Sequence, residues 1–67
     1  MLVLQQESVA LGQTLILSLE LWQTEDAQWP YATALVAPDT QEKIWQRNFA
    51  TLDAATHDFV RRLAEYQ

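Results

Sequence analysis

The sequence predicts an α+β fold: a small antiparallel β-meander of three to four strands, with one C-terminal α-helix packed on one face. Three observations lead to this expectation. Leu15–Trp22 places leucine at every second position, which is the period of a half-buried strand. Other alternating stretches, separated by turn residues, lie on both sides of it. Residues 52–66 repeat apolar side chains at helical spacing. Together they predict a two-layer domain.

The length allows one domain, residues 1–67, with a core of marginal size. A chain of about 60 residues buries only about 60% of the surface that it exposes when unfolded. The chain has 49% hydrophobic residues, which is typical of a globular protein, and no cysteine that could form a disulfide. Oligomerisation is the remaining common route to stability for such a domain.

The first two strands are predicted at residues 2–11 and 13–23. Gly12 is the only glycine of the chain and predicts a turn or a bulge between them. An alternative interpretation is one long bent strand from Glu7 to Trp22. In either case the leucine side chains of residues 15–21 form one face, which we expect the helix to cover, while Ile16 and Trp22 point to the other face.

Strands three and four are predicted at residues 29–37 and 43–49. The polar loop 24–28 has a length typical of a hairpin with a type I turn, and Pro30 indicates an unpaired or edge position. Pro38 begins a second turn over residues 37–42. The fourth strand is polar enough for a sheet edge. Strict alternation places four of its side chains on one face: Lys43, Trp45, Arg47 and Phe49.

A helix is predicted over residues 52–66, with Thr51 as its N-cap and Asp53 in its first turn. Asp58 and Arg62 are spaced as an ion pair four residues apart. The apolar stripe, widened by Val60, consists of Leu52, Ala55, Phe59, Leu63 and Tyr66. We expect this stripe to meet the leucine side chains of the second strand, Leu15, Leu17, Leu19 and Leu21.

The charge distribution is uneven and limits the classes of partner. The net charge is −5; residues 1–42 contain six acidic residues and no basic one, and all four basic residues lie within residues 43–67. Nucleic-acid binding requires a concentrated positive surface, so this distribution weighs against it. An acidic half is compatible with a basic protein partner, although it also serves solubility alone.

No pattern predicts catalysis, a metal site or a cofactor. His57 is the only histidine, and Asp53 lies four residues before it, a spacing that is more typical of a solvated helix surface than of a catalytic pair. Glu25 and Asp26 supply too few ligands for a divalent cation. We therefore expect no catalytic residue, no metal ligand and no cofactor.

The three tryptophans are the most informative functional residues. They can fill a thin core, or they can form an aromatic patch at an interface, where Trp, Tyr and Arg concentrate binding energy. Trp22 and Trp29 flank the loop 24–28 and are candidate cross-strand neighbours, and Trp45 extends that row. The predicted interface residues are Ile16, Trp22, Trp29, Tyr31, Trp45 and Arg47.

The segment Phe49–Ala55 resembles the start of the helix in the arm domains of tyrosine recombinases and in plant AP2-type domains. That resemblance implies a three-stranded sheet with one helix and DNA contacts from basic and aromatic strand residues. The predicted strands two and three contain no basic residue. The order of strands and helix is also similar to that of dimeric single-strand-binding proteins, which stack bases on aromatic side chains.

The leading hypothesis is a non-enzymatic protein–protein interaction module. It would associate with itself, as a homodimer, or with another protein, including a basic one, through an aromatic-bearing face of the sheet. The alternative hypothesis is nucleic-acid binding through the strand aromatics with Lys43 and Arg47, and catalysis by His57 ranks last. The absence of a signal-peptide pattern and of cysteine favours the cytoplasm, and no apolar run is long enough to predict membrane insertion.

Overall fold

The computed structural model describes residues 1–66 and confirms the predicted α+β meander. One antiparallel sheet has the strand order β1-β2-β3-β4, and a single helix packs on one of its sides. The elements are β1 (Leu2–Leu11), β2 (Leu15–Gln23), β3 (Tyr31–Ala37), β4 (Glu42–Phe49) and α1 (Leu52–Tyr66). Strands β1 and β4 form the two edges of the sheet, so the edge position predicted for the fourth strand is confirmed.

A turn at residues 12–14 separates β1 from β2, so the interpretation as one long bent strand is wrong. Gly12 has φ +70°, a left-handed conformation that glycine adopts without steric cost. The pairing runs from Leu11 with Leu15 to Leu2 with Gln23. Strand β2 therefore begins at Leu15 rather than at residue 13, because Gln13 and Thr14 belong to the turn.

The loop between β2 and β3 is longer than predicted and spans residues 24–30. The backbone N–H of Thr24 donates to the carbonyl of Pro30 at 2.7 Å and closes the loop. Asp26 Oδ1 accepts hydrogen bonds from the backbone N–H groups of Gln28 and Trp29. Trp29 thus belongs to the loop rather than to a strand. The predicted row of three tryptophans is absent, because Trp29 lies in this loop and Trp22 and Trp45 point to opposite sides of the sheet.

The turn between β3 and β4 covers residues 38–41. Its closing bond joins the backbone N–H of Gln41 to the carbonyl of Ala37 at 2.8 Å. Gln41 has φ +62°, the left-handed region that side chains other than glycine rarely adopt. A hydrogen bond from Gln41 Nε2 to the carbonyl of Pro38 holds this conformation.

A bulge in β4 overturns the predicted alternation of that strand. Trp45 pairs with Leu35, but Val36 pairs with Lys43, so Ile44 is an extra residue between them. Lys43 therefore shares the side of Val36, opposite to that of Trp45, whereas strict alternation places Lys43 and Trp45 together. A similar irregularity at Leu4 interrupts the pairing of β1 with β2.

The helix side of the sheet contains the main core. Phe59 and Ala55 are fully buried against the leucines of β2, and Thr51 caps the helix by accepting the backbone N–H of Ala54. The buried cluster consists of Val9, Leu17, Leu19, Leu21, Leu35, Ala55 and Phe59. Leu63 and Tyr66 pack at its margin, as the helical stripe predicts.

Three apolar residues predicted to lie in this core are exposed instead: Leu15, Leu52 and Val60. Leu15 is the first residue of β2, and Leu52 is the first residue of α1, so each lies at an end of the interface. Val60 faces solvent because α1 is rotated so that Asp58, not Val60, turns toward the sheet.

Candidate interaction surface

No helix or second sheet within residues 1–66 covers the side of the sheet opposite α1, called the open side below. The paired registers place alternate residues of all four strands on it. These residues are Val3, Gln6, Ser8 and Ala10 of β1, Ile16, Ser18, Glu20 and Trp22 of β2, Ala32, Ala34 and Val36 of β3, and Lys43, Gln46 and Asn48 of β4. Six of them are buried within the protomer, namely Ser18, Glu20, Trp22, Ala32, Ala34 and Val36, so the solvent-exposed part of this side lies around them.

Trp22 forms a small second core on the open side with Ala32, Ala34 and Val36. Its exposed fraction is only 6%, although no helix lies above it. The alanines opposite Trp22 and next to it on β3 have no side chain large enough to hold the indole ring away from the sheet. Lys43 reaches over the same ring, with Nζ 6.0 Å from its centroid, within the range of a cation–π contact.

A buried carboxylate organises the polar part of the open side. Glu20 is 7% exposed, and Trp22 Nε1 donates to Glu20 Oε1 at 2.7 Å. Glu20 Oε2 accepts hydrogen bonds from Ser18 Oγ at 2.9 Å and from Gln6 Nε2 at 3.3 Å. Gln6 Nε2 also donates to Ser18 Oγ, so the network joins β1 to β2. Burial deprives the Glu20 carboxylate of hydrogen bonds from water, and three neutral side-chain donors take their place.

A shallow cavity of about 340 Å³ opens beside this network. Trp22 and Val36 supply apolar surface, while the Glu20 carboxylate and the Lys43 ammonium supply opposite charges. The remaining lining residues are Met1, Val3 and Gln41. The size is at the low end for a small-molecule site. An apolar side chain of a partner, flanked by polar groups, would fit its chemistry.

Two isoleucines present apolar surface outside this cavity. Ile16 on the open side of β2 and Ile44 at the bulge of β4 are each 53% exposed. Ile16 pairs with Ala10 of β1, whereas Ile44 is the extra residue of the bulge; both lie within strands rather than loops.

The six predicted interface residues divide between two sides of the molecule. Ile16 and Trp22 lie on the open side, and Trp29 lies half exposed in the loop 24–30. The others lie on the helix side of β3 and β4: Tyr31, Trp45 and Arg47. Tyr31 and Trp45 pack partly buried against the main core, and Arg47 is exposed. Ile16 and Trp22 share the open side but are six residues apart along β2, about 20 Å at the rise of an extended strand. Trp45 and Arg47 are nearer neighbours, two residues apart on the helix side of β4.

Trp45 takes part in a contact with the helix. The guanidinium carbon of Arg62 lies 4.6 Å from the centroid of the Trp45 ring. Arg62 Nε is buried and lies 3.6 Å from Asp58 Oδ1, so the predicted ion pair between these two residues is present. The indole face of Trp45 is therefore partly covered within the protomer.

Asp58 is the buried polar residue that the sequence pattern does not reveal. It is 5% exposed, and Thr33 Oγ1 donates to its Oδ2 at 2.7 Å, while Arg61 binds its Oδ1 at 2.8 Å. Burial acts to raise the pKa of Asp58. The hydrogen bonds from Thr33 and Arg61 and the charges of Arg62 and Arg61 outweigh burial, so the pKa is lowered from the ordinary 3.8.

The role of Glu20 could have been suspected from position alone. Glu20 occurs inside the most apolar strand, where a charged residue requires partners within the fold. The hydrogen bond from Thr33 to Asp58 could not be found in this way, because the two residues are 25 positions apart in the chain. His57 and Asp53 are exposed on α1 and lie apart from the open side.

The two edges of the sheet differ in charge. Strand β4 carries Glu42, Lys43 and Arg47 and contains the bulge at Ile44, features that discourage pairing with another chain. Strand β1 carries one charged residue, Glu7, and its apolar residues at both ends are exposed.

Comparison of the chain with protein-family models, curated proteins and solved structures finds no match. Within residues 1–66, no helix is both long and apolar enough to cross a membrane. No group of three or more His, Cys, Asp or Glu residues in the same range is arranged to hold a metal ion.

Proposed function

We propose that this protein is a non-enzymatic protein–protein interaction module that associates with itself or joins a larger assembly through the open side of its sheet. One observation carries the proposal: a single helix covers one side of the sheet, and the other side presents Ile16 and a Trp22-lined cavity to solvent. Fixed apolar groups surrounded by polar side chains are typical of contact surfaces.

The energetics favour a contact centred on the open side. Burial of apolar surface contributes about 25 cal/mol per Å² before the cost of association is subtracted. The Glu20 network already satisfies its own polar groups, so a partner need not supply donors for them. A partner that brings apolar side chains to Ile16 and the cavity would therefore gain burial at little polar cost.

Nucleic-acid binding has less support from the geometry. The residues of that hypothesis lie on different sides, with Lys43 on the open side and Arg47 on the helix side. Trp45, the aromatic residue between them, is covered by Arg62. The open side also contains the Glu20 carboxylate, which repels phosphate.

Sedimentation equilibrium over a wide range of protein concentration tests the proposal. We expect an average mass that rises above the 7.7 kDa of one chain. Ile16→Lys should weaken the association about tenfold or more, because a charge would be buried at the contact. Val60→Lys is the matched control, since Val60 is similarly exposed (58%) but lies on the solvent side of α1.

The proposal fails on either of two results. A wild-type chain that remains monomeric at every concentration contradicts self-association. Equal effects of Ile16→Lys and Val60→Lys contradict the assignment of the contact to the open side.

A further inference from the structure

We infer that two copies of this chain pair through the free edge of β1, antiparallel, about a two-fold axis at Ser8. This inference rests on the self-association proposed above, but it concerns a different surface: the edge of the sheet rather than its open side. An edge strand presents unpaired backbone N–H and C=O groups, and a second strand satisfies them directly.

The asymmetry between the two edges points to β1. Strand β4 carries three charged residues, and its bulge at Ile44 leaves only Trp45–Phe49 regularly paired, with Arg47 at the midpoint of that segment. The segment Gln5–Leu11 of β1 is regularly paired with β2 on its inner side and contains Glu7 as its only charge. Strand β1 thus offers the longer regular edge, seven residues against five, and has fewer charged residues than β4.

The bulge at Leu4 and the charge at Glu7 select the register. The regular segment begins at Gln5, after the bulge, and ends at Leu11, so Ser8 is its midpoint. A two-fold axis at Ser8 pairs this whole segment with its copy. An axis at Glu7 would place two like charges opposite each other, which is destabilising, and an axis at Gln6 would carry the pairing into the bulge.

The Ser8 register also gives compatible side-chain pairs. On the open side Ser8 faces its own copy, and Gln6 faces Ala10 of the second copy. On the helix side Glu7 faces Val9 and Gln5 faces Leu11. No two charges of the same sign are opposed in this register, and the small Ser8 pair allows close approach of the backbones.

Pairing in this way would join two four-stranded sheets into one continuous sheet. Residues opposite each other in an antiparallel pair point to the same side. The two open sides would therefore face in one direction, and both helices would lie on the other side. The partner is a second copy of this chain, because the segment Gln5–Leu11 can be set against itself over its full length with its one charge, Glu7, facing the neutral Val9.

Single-cysteine variants test the register, since the wild-type chain contains no cysteine. Oxidised Ser8→Cys should form a covalent dimer, because directly opposed residues lie within the Cα separation that a disulfide requires. Glu7→Cys is the matched control; its copy lies diagonally across the pair, beyond that separation. A mixture of Gln6→Cys and Ala10→Cys should give a mixed disulfide that neither variant forms alone.

A charge variant provides a second, non-covalent measurement. Ser8→Lys places two ammonium groups opposite each other and should raise the dissociation constant about tenfold or more in sedimentation equilibrium. Val60→Lys, at an exposed position on the solvent side of α1, should leave the constant unchanged.

Two results would overturn the inference without affecting the proposed function. The first is a wild-type chain that self-associates while Ser8→Cys gives no more covalent dimer than Glu7→Cys. The second is Ser8→Lys associating as tightly as wild type. Conversely, specific cross-linking at Ser8 together with wild-type association of Ile16→Lys would support the edge contact and contradict the open-side contact.

Discussion

Thr33 Oγ1 donates a 2.7 Å hydrogen bond to Asp58 Oδ2 and so joins the centre of β3 to α1 within the buried interface. Both residues are buried, Thr33 completely. Around them the interface is apolar, so this bond specifies the rotation of the helix in a way that leucine contacts alone do not.

The first prediction concerns the strength of this bond. Thr33→Val keeps the shape of the side chain but removes the donor, and we expect a loss of about 1–3 kcal/mol in the free energy of unfolding. Asp58→Asn should cost a similar amount. Urea denaturation of both single variants and of the double variant measures the coupling. Strictly additive effects would show that the two side chains do not interact.

The second prediction is a dependence of stability on pH. The folded pKa of Asp58 lies below its unfolded value, so its ionised form stabilises the fold above the unfolded pKa. This contribution is lost as the pH falls through the lowered folded pKa. Thermal unfolding measured from neutral to strongly acidic pH should show that stability falls more steeply with decreasing pH in wild type than in Asp58→Asn. Parallel profiles would contradict the assignment.

The third prediction concerns the buried carboxylate of the open side. Trp22→Phe retains the ring contacts with the alanines of β3 but leaves Glu20 without its shortest hydrogen bond. We expect a loss of about 1–3 kcal/mol in unfolding free energy. Trp29→Phe, in the exposed loop, is the control and should change stability by less than about 0.5 kcal/mol. Equal losses in the two variants would argue against a role for the Glu20 network.

The fourth prediction uses the two residues with positive φ. Gly12→Ala should destabilise by about 1 kcal/mol; no atom lies within 4 Å of the added Cβ, so the cost is that of the left-handed backbone alone. Gln41→Gly should stabilise the fold by up to about 1 kcal/mol, because glycine adopts the left-handed backbone without steric cost. Loss of the hydrogen bond from Gln41 Nε2 to the carbonyl of Pro38 reduces this gain. Chemical denaturation of the two variants measures both signs. A destabilised Gln41→Gly would show that the side-chain bond outweighs the backbone strain.

Local patterns were sufficient to predict the strands, the helix and the N-cap, because the alternation of β2 and the spacing of the residues from Ala55 to Tyr66 depend only on near neighbours. They failed where one inserted residue or one distant contact decides the outcome. The extra Ile44 reverses the side of Lys43 without any signature in composition. The burial of Asp58 in place of Val60 depends on a partner in β3 that helical spacing cannot identify.

The candidate site was predicted only in part for the same reasons. Ile16 and Trp22 share the open side because they belong to one regular strand. The position of Trp29 could not be predicted without knowing the extent of the loop 24–30. That of Trp45 could not be predicted without knowing which side of β4 faces the helix. The buried acceptor role of Glu20 follows from four side chains on two strands, a constellation that exists only after the hairpin has formed.

The position of α1 after all four strands has a consequence during synthesis. Phe59 and Ala55, which cover the leucines of β2, leave the ribosome only after the complete meander has done so. Until then the nascent sheet has apolar surface on both sides, and a free β1 edge is available to neighbouring nascent chains. Translation speed and chaperone supply while α1 is being synthesised should therefore influence the yield of native protein more than equivalent changes during synthesis of β1.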